Sequence, residues 1–354
     1  MSCRHPGLDG TRWRRAHSLR RDIVDEAGMV DLQTASALVD LALEHRVGVA
    51  MVGDPYQAQP VGHVGVMASA VRYATASIEL DSVHRFSDPE YGALTLRLRN
   101  PRDLDDALTV AGELLERGHV RRVRSAEEAR DAMVAAHLDG HARGKRVAVV
   151  SGTNGEADAI NDAIQQHRVD AGELDPTMLA LGMGEQRILV GDVVQTRRND
   201  PRTGVENRAQ WVVRGISDDG ITLVSASDST DRRRVSRDYA LEHVQLAYAS
   251  TVHGIQGDTT DAAVVGPDVD AAGLYVGLTR GRHQNVVVAV GGSDEEAIAH
   301  IGATMMRGTT ELTIQDAMRA ADAELRRAPR EKALEPCGRG VAVASPVPRG
   351  GLSL

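Results

Sequence analysis

Apolar residues recur along this chain with two different periods, and the two periods take turns. Ile23 and Val24 end a run that reads as a strand. TASALVDLALEHR (34–46) repeats its apolar positions every three to four residues, as a helix does, and VGVAMV (47–52) is an apolar run short enough for a buried strand. HVGVMASAVRYA (63–74) predicts a helix and SIEL (77–80) a strand. Helical stretches dominate 88–143, after which RVAVVS (146–151) opens a second strand–helix unit with its helix near 155–167. Such alternation predicts a parallel α/β sheet.

From 188 to 246 the texture changes. Short runs (ILV, DVVQT, QWVVRGI, GITLVS, RRRVS) are separated by Gly, Asp, Asn and Pro, which predicts a small β-barrel inserted into the second unit. The α/β pattern then resumes with a strand at AAVVG (262–266), a helix near 270–279 and a strand at NVVVAV (285–290). Helices are expected at about 293–307 and 313–327, then a Gly/Pro-rich disordered tail at 336–354.

Charge narrows the functional classes. With 41 Lys+Arg against 50 Asp+Glu the net charge is -9, so any nucleic-acid binding has to rest on local sites. Lys145 and Lys332 are the sole lysines. Cys3 and Cys337 make neither a disulfide framework nor a metal pattern. No apolar run is long enough to span a membrane, and the arginine-rich start (Arg12, Arg14, Arg15, Arg20, Arg21) lacks the apolar segment of a signal peptide, so a cytoplasmic protein with no membrane contact is expected.

Candidate chemistry begins with IVDEAGMVD (23–31), two carboxylates at the end of a buried strand, where ligands of open α/β sheets sit. Asp25 can hold Mg²⁺ and Glu26 can activate a water attacking a γ-phosphate; the bland alternative is a solvated helix start. One strand later, MVGDPYQAQPV (51–61) turns sharply at Gly53-Asp54-Pro55 and sets Gln57 where its amide can reach a γ-phosphate. LDSVHRF (80–86), VAVVSGTNGEADAIN (147–161), LAYASTVHGIQGDTTDAAVVG (246–266) and LYVGLTRGR (274–282) follow in order.

Taken together, these strings resemble the RecD-like superfamily 1 DNA helicases, and most of all the helicase part of TraA/TrwC-type (MobF) conjugative relaxases. The likeness covers about residues 22–326 and lies in five ordered motifs. It implies a P-loop NTPase fold of two RecA-like motor domains, ATP and Mg²⁺ as cofactors, single-stranded DNA as partner and 5′→3′ translocation. Under it DEAGM is motif II, with Asp25 on Mg²⁺ and Glu26 as base. GDPYQ is motif III, where Gly53 and Asp54 approach the nucleotide and Gln57 senses the γ-phosphate. Arg85 and Arg280 become arginine fingers, whose planar donor fork suits phosphate. Thr251 and His253 contact the DNA backbone, while Gln256, Gly257 and Asp258 lie near the nucleotide. Family members use the inserted barrel to hold single-stranded DNA, which points to Arg197 and Arg198 among Arg202, Arg208, Arg214, Arg232, Arg233, Arg234 and Arg237; water-facing charge is the equal alternative for each. Tyr56 and Trp211 are the candidate base-stacking platforms. SGTNG (151–155) reads as an ordinary strand-to-helix turn, and His137 and His141 as a solvated helix end instead of a zinc pair.

The family's first motif, G-x-x-x-x-G-K-[ST], is missing from these residues. Lys145 is followed by Arg146 and precedes a strand, and Lys332 lies near the C-terminus. Losing several phosphate contacts at roughly 2 kcal/mol each removes about 6–8 kcal/mol, or about four to six orders of magnitude in affinity. The expected organisation is therefore a partial first RecA-like domain (1–78), motif IV and connecting helices (79–145), a second RecA-like domain (146–190 plus 246–298), the barrel (191–245), C-terminal helices (299–335) and the tail (336–354). The chain is expected to be N-terminally truncated and inactive as an ATPase alone, with another chain supplying the P-loop and the relaxase domain. A non-catalytic gene-decay remnant, a passive single-stranded DNA-binding module and a reading frame that starts further upstream stay open beside it.

Overall fold

The computed structural model describes residues 21–57, 66–80, 85–255, 257 and 259–307. The chain divides into a unit of Met1–Thr313 and a unit of Ile314–Leu354, and the second lies outside the described residues together with the expected 313–327 helix and the tail. The basic N-terminal segment, Gln256 and Asp258 lie outside them too.

Strands β1 (Arg21–Val24) and β2 (Gly48–Met51) pair in parallel, joined by helix α1 (Leu32–His45). Asp31 caps α1 by accepting from Thr34 N at 2.7 Å, and Arg46 ends it in a left-handed conformation. This pair leaves apolar side chains in water: Ile23 is 72% and Val49 40% exposed. Helix α2 (Met67–Tyr73) follows. SIEL, expected as a strand, is irregular with Ile78 and Leu80 exposed; among the described residues it has no ladder partner, and an apolar run without one gains nothing from extending.

Helices α3 (Pro89–Arg99) and α4 (Leu104–Glu116), strand β3 (Val120–Val123) and helix α5 (Ala126–Ala142) come next. The strand is a departure from the expected helical region. Its Arg121 and Arg122 point outward on the sheet edge, so the apolar signal was too thin to read, while charge on an edge strand blocks stray pairing. β4 (Val147–Ser151), α6 (Asn154–Asp170), β12 (Ala249–Thr251), β13 (Thr260–Val265), helix α9 (Ala271–Leu278), β14 (Gly281–Val290) and α10 (Asp294–Met305) complete this unit; α7 (Arg237–His243) and α8 (Val252–Ile255) precede and follow β12. The five strands run parallel in the order β12-β4-β13-β14-β3. Both faces are covered, which is why these strands read as unbroken apolar runs. Val149, Val264 and Val288 enter one core with α5 and α6, and Val150, Val265 and Val287 enter the other with α3, α4, α9 and α10.

Between α6 and β12 lie β5 (Leu179–Leu181), β6 (Arg187–Leu189), β7 (Val193–Thr196), β8 (Gln210–Ser217), β9 (Gly220–Ser225), β10 (Arg232–Val235) and β11 (Val244–Leu246). β5 and β6 form a hairpin, and the rest form an antiparallel sheet in the order β10-β9-β8-β7-β11. The expected barrel is thus an open sheet: β10 and β11 are its two edges and do not pair. Trp211 is corrected as well. It is 3% exposed, donates from Nε1 to Thr196 Oγ1 at 3.2 Å and belongs to the core, so no base can stack on it.

Candidate functional site

The DEAG and GDP segments meet backbone to backbone. Val52 N donates to Val24 O at 2.8 Å and Ala27 N to Val52 O at 2.9 Å, which closes the two strand ends together. A Cβ on Gly28 would sit 2.9 Å from Asp54 O, and one on Gly53 would sit 2.9 Å from both Ala27 N and Gly28 N. Only glycine permits that approach. Glu26 makes the turn possible with a left-handed backbone (φ 50°), and Asp25 Oδ1 accepts from Glu26 N at 2.9 Å. Asp25 and Glu26 stay exposed at this corner, with Gln57 on the facing turn, where Gln57 N donates to Asp54 O.

We expect Gly53→Ala to force these loops apart at a cost of about 1–3 kcal/mol. Thermal melting should fall, and the Ala27 amide should exchange with solvent faster. An unshifted melt with a protected Ala27 amide would refute the close-contact account.

Asp54 ties this corner to the five-stranded unit. Its Oδ1 accepts from Tyr56 N at 3.0 Å and its Oδ2 from Tyr275 Oη at 2.8 Å. Burial, and then the Asp54 carboxylate, push the Tyr275 phenol up to about 12, so it keeps the proton it donates. Four residues further on, Thr279 caps α9 through its backbone N–H, and its carbonyl accepts from Arg85 Nη1 at 2.5 Å. Arg280 is next in the chain. It is only 2% exposed, and its Nε donates to Val276 O at 3.0 Å. The Asp54–Tyr275 and Arg85–Thr279 bonds thus both land on α9 or its cap, and Arg280, next to the second, is turned inward. Asp54, expected at a nucleotide, has both oxygens engaged within the protein.

Tyr56 is also engaged. The Arg99 guanidinium lies 4.7 Å from its ring centroid, Asn100 Nδ2 donates to its hydroxyl at 3.2 Å, and the ring packs on the core. A base would have to displace Arg99 to stack there.

A second cluster surrounds the turn after β12. Thr251 ends that strand and His253 lies on α8, both half-buried, and Gly257 follows with φ +88°. Arg280 precedes β14 at the opposite end of the parallel strands from Thr251. Gln195 was not singled out from the sequence. It is fully buried, and its Nε2 donates to Gly254 O at 3.0 Å and to Arg208 O at 3.1 Å. Its Oε1 accepts from Arg197 Nη1 at 3.3 Å. Arg197 and Arg198 are exposed, and Arg198 turns toward His243 Nε2 at 3.4 Å. A polar residue in an apolar run (DVVQT) was the one available signal.

SGTNG is engaged within the protein. Thr153 caps α6, and Gly152 N donates to Asp268 Oδ1 at 3.2 Å, so a carboxylate fills the position a phosphate would need. His137 and His141 stack with centroids 6.4 Å apart, and His141 faces Glu173 at 3.5 Å. Among the described residues no group of three or more His, Cys, Asp or Glu could hold a metal ion, and no helix is long and apolar enough to cross a membrane.

The comparisons agree with the motif reading at the level of family and fold. A family model described as an AAA domain matches residues 6–125. Conjugal transfer protein TraA of Rhizobium radiobacter is 24% identical over 280 residues, covering 77% of this chain and 25% of that protein. TraA of Agrobacterium fabrum is 26% identical over 295 residues, with the same coverage of 77% and 25%. The chain thus spans about a quarter of the length of these relatives. Among solved structures, the Pif1 helicase from Bacteroides in complex with ADP-AlF3 and ssDNA superposes with a TM-score of 0.52 at 17% identity, covering 90% of this chain and 79% of that one. Residues 6–125 thus match the AAA-domain model, the chain is distantly similar to TraA, and it shares the α/β fold of Pif1 motor domains.

Proposed function

We propose, from that distant kinship to TraA, that these residues form part of an ATP-driven motor that translocates on single-stranded DNA 5′→3′ and unwinds duplex. The reading is supported by one observation above the others: the DEAG corner, Gln57, Arg85 and the end of α9 are joined by short contacts through Gly28–Asp54, Asp54–Tyr275 and Arg85–Thr279.

In this reading Asp25 Oδ2 is the oxygen left for Mg²⁺, since Oδ1 holds the Glu26 amide. A single carboxylate fits the habit of Mg²⁺, which takes one or two protein ligands beside phosphate and water. Bound there with a triphosphate, the ion would neutralise charge on the phosphate oxygens. Glu26, exposed on its left-handed turn, accepts the proton of the attacking water, and Gln57 orients that water or the γ-phosphate. Arg85 needs only to exchange the Thr279 carbonyl for a phosphate oxygen. Arg280 has to be uncovered before it can do the same. Asp54 and Tyr275 hold the two units in register.

The residues present do not supply a phosphate cradle. The 354 residues contain no G-x-x-x-x-G-K-[ST], so the motor is complete only with a P-loop from another segment or chain. The chain by itself should hydrolyse ATP at background rate with single-stranded DNA present. Fused behind the P-loop segment of a TraA relative, it should gain DNA-stimulated turnover that Glu26→Gln abolishes. Turnover by the chain alone that depends on Glu26 would contradict the need for an outside loop, and a folded fusion with no turnover would sink the motor reading.

A further inference from the structure

Resting on the motor reading above, we infer that Arg99 is a positioning residue: from the end of α3 it holds Tyr56, and through it Gln57, in register with Arg85. The first reason is where the guanidinium sits. Its carbon lies 4.7 Å from the Tyr56 ring centroid, and its Nη2 meets Glu79 Oε1 at 3.2 Å. It is also close enough to the Tyr275 hydroxyl to oppose the upward push of burial and Asp54 on that phenol. The side chain is 17% exposed, so its cation–π contact is largely shielded from water, where such contacts are strongest. One cation thus reaches both the GDPYQ turn and α9, the two elements that the Asp54–Tyr275 bond joins.

The second reason is that Tyr56 is gripped at backbone, ring and hydroxyl. Its N donates to Asp54 Oδ1 at 3.0 Å, Arg99 lies against the ring, and Asn100 Nδ2 donates to the hydroxyl at 3.2 Å. Arg99 and Asn100 are the last residue of α3 and its cap. Gln57 follows Tyr56 in the chain, with its own N on Asp54 O. A shift of the end of α3 is therefore passed to the Gln57 turn.

The third reason is the other end of the same helix. Asp88 caps α3 by accepting from Glu90 N at 2.9 Å, and just before it Phe86 packs edge-on against Tyr91 with centroids 4.9 Å apart. Tyr91 Oη donates to Leu278 O at 2.8 Å, beside the Thr279 carbonyl that receives Arg85. An 11-residue helix is a stiff rod about 16 Å long, so α3 fixes the spacing between Arg85 near its start and the Tyr56 clamp at its end. Arg97, two residues earlier, faces Glu113 instead and has no part in the clamp.

Two measurements test this. The first is hydrogen exchange on the purified full chain. Arg99→Met keeps the apolar stem and removes the cation, so the Tyr56 and Gln57 amides should exchange about 10-fold faster. Arg99→Lys keeps a cation at the ring and should restore most of the protection, while Arg97→Ala should leave it unchanged. The second is turnover by the fusion described above. Arg99→Met should lower kcat about 10-fold and move KM for ATP less than about twofold, because Gln57 serves the transition state and not the grip on substrate. An Arg99→Met/Tyr56→Leu double variant should be no slower than the worse single variant, since one residue acts through the other. Circular dichroism on each variant checks folding. Unchanged amide exchange in Arg99→Met, or its full kcat in an active fusion, overturns the inference and leaves the motor reading standing. A folded wild-type fusion with no turnover takes both down.

Discussion

Asp192→Ala should destabilise the protein by about 3–5 kcal/mol, read as a lowered urea midpoint. Asp192 is fully buried at the crossing from the parallel unit into the antiparallel sheet. Three donors converge on its two oxygens. Gln165 Nε2 (2.6 Å) and Leu189 N (2.7 Å) reach Oδ2, and Tyr248 Oη (2.5 Å) reaches Oδ1. Tyr248 lies where the chain returns to β12, and it accepts from Arg168 Nη1 at 2.7 Å. Arg168 in turn donates to Gly191 O and to Glu173. Both crossings between the sheets are thus held by one buried network. Alanine would orphan all three donors at once and leave Arg168 short of negative charge, and an unmet buried group costs more than a made bond gains. Asp192→Asn should fall in between: its amide would face the Tyr248 hydroxyl, which already accepts from Arg168, so one donor is left over. A loss below about 1 kcal/mol for the alanine variant would show that the network is dispensable.

Stability should also fall by about 2–3 kcal/mol as pH drops from about 6.5 to 4, through His137. Burial, then the neighbouring His141 and Arg168, press its pKa down to about 4. Its ring lies edge-on to Tyr248, and its Nδ1 is buried with no hydrogen-bond partner. The folded state therefore resists a proton that the unfolded chain accepts near 6.5, so the contribution is whole above that value and gone once pH passes below 4. Glu173, which faces His141 and Arg168, is held below its ordinary range by Arg168 and reinforces the acid loss. Asp158 and Asp162 are raised by burial and pull the other way, so the measurement is the difference between wild type and His137→Phe. Urea melts across that pH range should converge toward the acid end. Parallel curves would remove His137 from the account.

Much of the candidate site was legible because it is built on strand ends. An apolar run followed by DEAG or GDP marks where a strand stops and polar groups begin, and the structure puts both segments at one corner. The glycines could be named from sequence, but the reason for them could not, since the atoms that crowd Gly53 belong to Ala27 and Gly28. Arg85 and Arg280 were legible as residues, and not as a guanidinium on a helix cap beside another turned inward. Gln195, Asp192 and Tyr248 carried no motif at all. Their importance comes from partners 59, 27 and 80 positions away.

The order of strands and helices, the paired carboxylates and the change of texture near residue 190 follow from local patterns, because period and turn chemistry are properties of neighbouring residues. Whether the inserted strands close into a barrel, whether SIEL pairs, which aromatic ring is free and which arginine lies against a ring were decided only by tertiary structure. Pairing, burial and charge compensation depend on what lies across a few ångströms of space, and chain position does not encode that distance.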